Sequence, residues 1–515
     1  MSSSLTYNNF PFLKELGLEE MNYGFFDGTG TKASGEIKNI HNPCDHSPIA
    51  TVQEASLEDY EKGLNQALQA RLAWADVPMP RRGEILLEIA SSLKKYKSQL
   101  GKLIALEVGK LVSEGEAEVA EFVKIAEFAA GLTRTITGKI IPSEKSNTTV
   151  LEQWNPLGIA GVITAFNFPH AVFGRNFCLS FVCGNCTIWK GASTTALSTI
   201  ATSKIIMDVL SKNKVPPGVF VSFAISGNIL GHRMISDKRY NLISFTGSTD
   251  VGKKVSLAVH ERLGRTILEL GGNNAILVCE DADLDMAIKA IVVSAVSTCG
   301  QRCTAARRVF IHESLYDQFK EKMLNIYKHI KIGNPIDETV NIGPLHTKQA
   351  LKNYLDGMIK IKEQGGKILF GGSKVEGLEG NFIQPTLVEI DHSAKVAHEE
   401  LFAPVLYLFK FKTIEEAIQY NNEVPHGLAS AIFTNKLNYV FQWIGPRGSD
   451  TGLINVNTGT TGSEVGGAYG GEKESGSGRE TGSDSWRQYM RQSTIKLNFG
   501  SDPQVSSNID FNPKV

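Results

Sequence analysis

Two side chains have the types needed for covalent catalysis on an electrophilic carbon. They are Cys303, in Gly300-Gln301-Arg302-Cys303, and Glu269, which opens Glu269-Leu270-Gly271-Gly272 earlier in the chain. A cysteine is a potent nucleophile once deprotonated, and a carboxylate returning from a preceding segment can activate a water for the second half of a reaction. Neither residue is informative alone. Their meaning depends on what else accompanies them.

Upstream, Phe245-Thr246-Gly247-Ser248-Thr249-Asp250-Val251-Gly252 joins an apolar run to a helical pattern. Gly247 and Gly252 permit a tight turn, and the free N–H groups of a helix N-terminus attract a pyrophosphate. The spacing departs from G-x-G-x-x-G and by itself also describes an ordinary strand-to-helix turn. Lys190, closing the preceding run, offers an ammonium to a ribose or phosphate, although an isolated lysine is ordinarily a solvated charge. Thr164-Ala165-Phe166-Asn167-Phe168-Pro169 follows another run. Its Asn167 amide suits a developing oxyanion or simply a turn. Glu399-Glu400-Leu401-Phe402-Ala403-Pro404 sets a carboxylate pair before an aromatic, fit for ribose hydroxyls or for solvation at a helix end.

The elements that must position these groups follow from periodicity. Apolar runs at Gly158 to Thr164, Thr187 to Lys190, Val219 to Phe223, Leu242 to Phe245 and Thr266 to Leu270 alternate with helical patterns. That alternation predicts a parallel sheet wound with helices on both faces, with ligands at the carboxyl ends of its strands. Ser56 to Gly131 reads as helical, and Val119, Phe122, Val123 and Ala126 give it one apolar face. Beyond Asp281, a helix over Ala287 to Thr298, a strand over Arg308 to His312 and a helix over Leu315 to Ile330 predict a second α/β domain carrying Cys303. A cleft between the two domains follows. Alternation in Thr149 to Trp154 and Ser493 to Phe499 predicts marginal strands, either simple edges or strands that pair across subunits. Gly459 to Gly482, rich in glycine, reads as a linker or as a loop at a site.

Composition narrows the function classes. At 515 residues the chain exceeds one growing core. A hydrophobic fraction of 42%, a charged fraction of 21% and a net charge of −1 describe a folded soluble protein without whole-molecule attraction to nucleic acid or anionic membrane. Met1 to Phe10 lacks a signal or transit layout, and no apolar run approaches the ~20 residues of a membrane span. A cytoplasmic location is expected. Seven cysteines make no disulfide framework, and Cys183-Gly184-Asn185-Cys186 reads as buried structural thiols rather than a redox or zinc pair. No clustered metal ligand set appears.

Taken together, Asn167, Lys190, the Gly247 turn, Glu269-Leu270-Gly271-Gly272, Gly300-Gln301-Arg302-Cys303 and Glu400-Leu401-Phe402-Ala403-Pro404 resemble the NAD(P)-dependent aldehyde dehydrogenase superfamily in order and spacing. Glu152-Gln153-Trp154-Asn155-Pro156, Gly343-Pro344-Leu345-His346-Thr347-Lys348-Gln349-Ala350, Gly470-Gly471-Glu472-Lys473 and Gly482-Ser483-Asp484 are similar to the antiquitin, or α-aminoadipic semialdehyde dehydrogenase, family within it. So are Trp486 and Gln488-Tyr489-Met490-Arg491. The resemblance implies two doubly wound α/β domains plus a small β oligomerisation element, in a homotetramer. The NAD-binding domain would comprise residues 1–145 and 157–279, the catalytic domain 280–482, and the oligomerisation element 146–156 and 483–515.

The same resemblance implies roles for particular residues. Cys303 would be the nucleophile, Glu269 the water-activating base, and Asn167 with the Cys303 N–H the oxyanion holder. NAD would lie along Thr164, Ala165, Phe166, Lys190, Ala192, Gly247, Ser248, Val251, Gly252, Leu270, Gly271, Glu400 and Phe402. Ser193, standing where an acid would repel a 2′-phosphate, leaves NADP open. Glu121 and Arg302 would hold the ammonium and carboxylate of an amino-acid aldehyde, with Thr304, Gly462 and Ser463 beside them. Where the family has a small residue after Phe-Pro and a Trp before the next Asn, this chain has His170 and Arg175. The expected reaction is oxidation of 2-aminoadipate 6-semialdehyde. Broader or betaine aldehyde oxidation, CoA acylation, and a non-catalytic structural or stress role are the alternatives.

Overall fold

The computed structural model describes residues 5–30, 32–225 and 227–501. The last part of the expected oligomerisation element, 502–515, and the first four residues lie outside them. All five apolar runs upstream of Cys279 are strands: Ile159–Ile163, Cys186–Lys190, Phe220–Phe223, Leu242–Thr246 and Arg265–Glu269. The first four are buried almost throughout, as strands covered on both faces must be. They pair in parallel, with Ile159–Ile163 flanked by Cys186–Lys190 on one side and Leu242–Thr246 on the other. The winding therefore reverses beside Ile159–Ile163, and the turns after Ile163 and Thr246 face each other at that reversal. Antiparallel strands Phe25–Phe26 and Gly476–Ser477 close the two edges.

A second seven-stranded sheet is built from later residues, in the order Lys367–Phe370, Thr386–Glu389, Val405–Phe411, Ala306–His312, Asn274–Val278, Ala429–Phe433 and Leu453–Val456. Each sheet has its own hydrophobic core, and the chain passes from one to the other between Leu270 and Ala275. Asn274–Val278, left with the first unit by the division at residue 279, thus belongs to the second sheet. Gly476–Ser477 travels the other way and pairs with Leu268 and Glu269. Neither exchange has a periodicity signal, because an apolar strand does not encode its partner.

The helical N-terminal stretch forms Leu57–Ala75, Met79–Lys95, Lys97–Val108 and Val112–Leu132. Val119, Phe122, Val123 and Ala126 are buried as the spacing requires, and Glu114, Glu118 and Glu121 occupy a different stripe of the last helix. Glu118 Oε1 accepts from the N–H groups of His170 and Ala171, at 2.6 and 3.0 Å. It thereby caps the helix Ala171–Val182, which carries Arg175. Thr148–Pro156 pairs antiparallel with Met490–Asn498 and with Lys139–Ile141 in a three-stranded sheet. Cys183 and Cys186 are buried free thiols. Among the described residues no helix is long and apolar enough to cross a membrane.

Candidate active site

A cavity of about 420 Å³ opens at the reversal of the first sheet, walled by the segments after Ile163 and Thr246, the Glu269–Gly271 corner and the Cys303 loop. Cys303, Glu269 and Asn167 all line it, with Ala165, Phe166, Gly247, Ser248, Leu270, Gly271, Glu400 and Phe402. The head-group candidates Glu121, Arg302, Thr304, Gly462 and Ser463 line it too. Thr164, Lys190, Ala192, Val251 and Gly252 stand outside this wall. Thr164 Oγ1 accepts from Trp189 Nε1 at 3.0 Å, and Gly252 lies against Leu270, where a Cβ would come within 2.2 Å of a methyl. Val251 is 44% exposed on the helix Thr249–Glu261.

The Cys303 loop is held in a strained shape. Thr298, Cys299 and Gly300 all have left-handed backbones, at φ 53°, 53° and 66°. That conformation is foreign to a β-branched threonine. Glu114 Oε1 compensates by accepting from Thr298 N at 2.9 Å, Thr298 Oγ1 at 3.1 Å and Arg302 Nη2 at 2.7 Å. From beneath, the buried Arg307 donates to the carbonyls of Arg302 and Leu401 and to Glu400, at 3.1, 2.9 and 3.2 Å. One guanidinium therefore ties the Cys303 loop to the Glu400 segment. Gly272 passes so close behind that a Cβ there would lie 2.4 Å from the Cys303 carbonyl.

Electrostatics separates the groups. Glu269 is 4% exposed, and neither carboxylate oxygen has a hydrogen-bond partner among the described residues. Burial, and then the neighbouring Glu480 carboxylate, push its pKa well above the ordinary range. Burial pushes the Cys303 thiol up to about 11, while Tyr469 and Arg175 pull it back. Asn167 uses one amide N–H on the Gln301 carbonyl at 2.9 Å and keeps a second. Glu400 accepts from Gly272 N at 3.1 Å, whereas Glu399 is an exposed acid 3.4 Å from Lys360. Glu399 is thus the solvated member of the pair, and Glu400 is the one that lines the cavity.

Tyr469, Glu480 and Glu114 complete the site without having been singled out in the sequence. Tyr469 Oη lies 3.6 Å from Cys303 Sγ. Glu480 accepts from Asn176 at 2.8 Å and Arg175 at 3.2 Å. Both sit in the glycine-rich stretch, which is therefore a site loop rather than a linker. Arg175 crosses to Glu121 with Nε at 2.9 Å and Nη2 at 2.5 Å. Glu121 is thus not the solvated helical acid its spacing also allowed.

With this geometry in place, the sequence comparisons decide the family. A sequence model described as "Aldehyde dehydrogenase family" matches residues 31–495. The chain belongs to the aldehyde dehydrogenase family. It is 50% identical to aldehyde dehydrogenase family 7 member B4 of Arabidopsis thaliana, over 98% of this chain and 99% of that one. It is 48% identical to alpha-aminoadipic semialdehyde dehydrogenase of Bos taurus, over 98% and 93% of the two chains. A solved betaine aldehyde dehydrogenase from Staphylococcus aureus in complex with NAD+ superposes with a TM-score of 0.90 at 26% identity, covering 95% of this chain and 98% of that one. The enzyme is an oxidoreductase with the aldehyde dehydrogenase fold.

Lys190 is buried with a single acceptor among the described residues, the Gly191 carbonyl at 3.4 Å, and burial lowers its pKa to about 8. A cation so poorly satisfied fits a polar or anionic ligand group. Gly271 keeps the Glu400 approach open, since a Cβ there would meet the Glu400 carboxylate at 2.2 Å.

Proposed function

We propose that the enzyme oxidises L-2-aminoadipate 6-semialdehyde, which equilibrates with piperideine-6-carboxylate, to L-2-aminoadipate in lysine breakdown, using NAD. The chemistry rests on one observation: Cys303, the buried Glu269 carboxyl and the Asn167 amide share a single cavity. The substrate rests on relatives such as the bovine alpha-aminoadipic semialdehyde dehydrogenase.

In this reading the Cys303 thiolate adds to the aldehyde carbon. The second N–H of Asn167 and the Cys303 backbone N–H hold the oxyanion. Lys190, Glu400 and the helix N-terminus after Gly247 would hold NAD, which when bound supplies the hydride acceptor for oxidation of the thiohemiacetal to a thioester. Glu269 then takes a proton from the water that releases the acid. Glu121 and Arg302, with Gly462 and Ser463, bind the end remote from the aldehyde. Glu269 acts in this step as the carboxylate, and the raised pKa that burial and Glu480 give it makes that carboxylate a stronger base toward the water.

The first sheet serves as the NAD-binding part and the second as the catalytic part of a homotetramer. The three-stranded sheet supports its assembly, with Ile140, Leu497 and Phe499 exposed at 82%, 48% and 72%. Free thiols throughout suit the cytosol. Steady-state kinetics with 2-aminoadipate 6-semialdehyde and an alkyl aldehyde of equal length, each with NAD and NADP, tests the assignment. The expected result is a higher kcat/KM for the amino-acid aldehyde with NAD. Preference for the alkyl compound removes lysine breakdown from consideration.

A further inference from the structure

One of the two residues that depart from the family pattern, Arg175, lies against the carboxylate expected to receive the substrate ammonium. Its guanidinium is fixed at several points: Nε and Nη2 on Glu121 Oε1, Nη1 on Glu480 Oε2 at 3.2 Å, and Nη2 3.4 Å from Ser463 Oγ. Its flat face covers the Tyr469 ring at 4.1 Å. The side chain is 8% exposed and springs from a capped helix, so this is a preorganised contact rather than a surface pairing.

Glu121 therefore already has a cation. A substrate ammonium arriving there would have two options. Displacing Arg175 leaves a buried guanidinium with Glu480 at 3.2 Å as its remaining carboxylate, and breaking one arm of a buried charge network is unfavourable. Sharing Glu121 through its other oxygen puts two positive charges across one carboxylate in a desolvated cavity. Both options oppose the ammonium.

The carboxylate end is in a different state. Arg302 spends Nη2 on Glu114 and Nε on Thr298, which leaves Nη1 without a protein partner among the described residues. The site keeps a donor for an anion while its acceptor for a cation is filled from within.

We infer that Arg175 sets head-group specificity by serving as the internal counter-ion of Glu121. An aldehyde bearing a remote carboxylate and no α-ammonium is then oxidised at least as well as the amino-acid semialdehyde. The inference rests on the reading of Glu121 and Arg302 as head-group residues. The bond chemistry is unchanged: one water is consumed and two electrons pass to the nicotinamide as the aldehyde becomes a carboxylate. Specificity is a difference of affinities, and Arg175 removes one side of that difference.

The test is the ratio of kcat/KM for 2-aminoadipate 6-semialdehyde to that for its desamino counterpart, 6-oxohexanoate. It is measured in the wild type, Arg175→Met and Glu121→Gln, with hexanal as a third substrate. A ratio within one protein does not depend on how much of it is folded. The expected wild-type ratio is about one or less, rising roughly tenfold in Arg175→Met as Glu121 is freed. Glu121→Gln should leave the ratio within about threefold of wild type. A wild-type preference of about tenfold or more for the amino compound, lost in Glu121→Gln and insensitive to Arg175→Met, overturns the inference. Hexanal outperforming both carboxylates would instead overturn the head-group reading itself, so the two failures are distinguishable.

Discussion

The Tyr469 hydroxyl stands 3.6 Å from the Cys303 sulfur, and no other side chain among the described residues is hydrogen-bonded to that sulfur. A phenol O–H donating to the thiolate favours the charged form, against the burial that pushes the thiol up to about 11. Tyr469→Phe should therefore slow alkylation of Cys303 by iodoacetamide about fivefold at about pH 8, as expected for losing ~1 kcal/mol of hydrogen bonding. The profile of rate against pH should move to higher pH. An unmoved profile would mean that the contact plays no part in activating the sulfur.

Glu269 is buried without a hydrogen-bond partner among the described residues, and its raised pKa keeps it protonated into a range where ordinary carboxyls are charged. In the proposed reaction it acts in the second half. Glu269→Gln should give a burst of reduced cofactor close to one per subunit, followed by turnover slowed about 100-fold or more. Stopped-flow absorbance separates the two phases. Loss of the burst as well would assign Glu269 to the first half.

Glu114 accepts three hydrogen bonds from the loop whose backbone is left-handed at Thr298 and Cys299. Glu114→Ala leaves those donors without their acceptor, at a cost of about 1–3 kcal/mol. The thermal midpoint should fall and kcat should fall with it, because the same loop aims Cys303. Normal kcat at a lowered midpoint would separate stability from aim.

His170 is fully buried, and burial followed by the Lys110 charge lowers its pKa to about 3. Between that value and the ordinary imidazole range the unfolded chain binds a proton that the folded chain does not. Stability must then fall on acidification below about pH 6.5, by about 1.4 kcal/mol per pH unit from this group. His346, lowered to about 4 chiefly by burial, acts in the same direction. His170→Gln should flatten the dependence of the thermal midpoint on pH between about 5 and 6.5. An equally steep dependence would locate acid sensitivity elsewhere.

Leu497 lies on the strand Met490–Asn498 and is 48% exposed. If that sheet joins subunits, Leu497→Glu buries a charge at the joint and should shift sedimentation from tetramer toward smaller species. A wild type that sediments as a monomer would remove the assembly role.

Much of the fold was legible because strands covered on both faces are continuous apolar runs, and Ile159–Ile163 and Leu242–Thr246 appear as such within a residue of their ends. The assignment of Asn274–Val278 to the second sheet was not, since its apolar run fits either core equally well. Cys303, Glu269 and Asn167 stood out by residue type and order. Tyr469 and Glu480 did not, because a glycine-rich loop has no periodicity to say which side chains turn inward. The left-handed pair Thr298 and Cys299 had no local signal either, as neither residue favours that backbone.

The sequence by itself determined the family and the alternating α/β architecture, and it supplied the groups proposed for the chemistry, because these depend on residue type, order and period. Only the tertiary structure decided what those groups have as neighbours. Arg175 and Glu121 come from different helices, and their pairing depends on how those helices pack. Whether Glu121 is an open receptor or a filled one is a matter of a few ångströms. Charge interactions change steeply over that distance in a buried cavity, and residue spacing along the chain does not specify it.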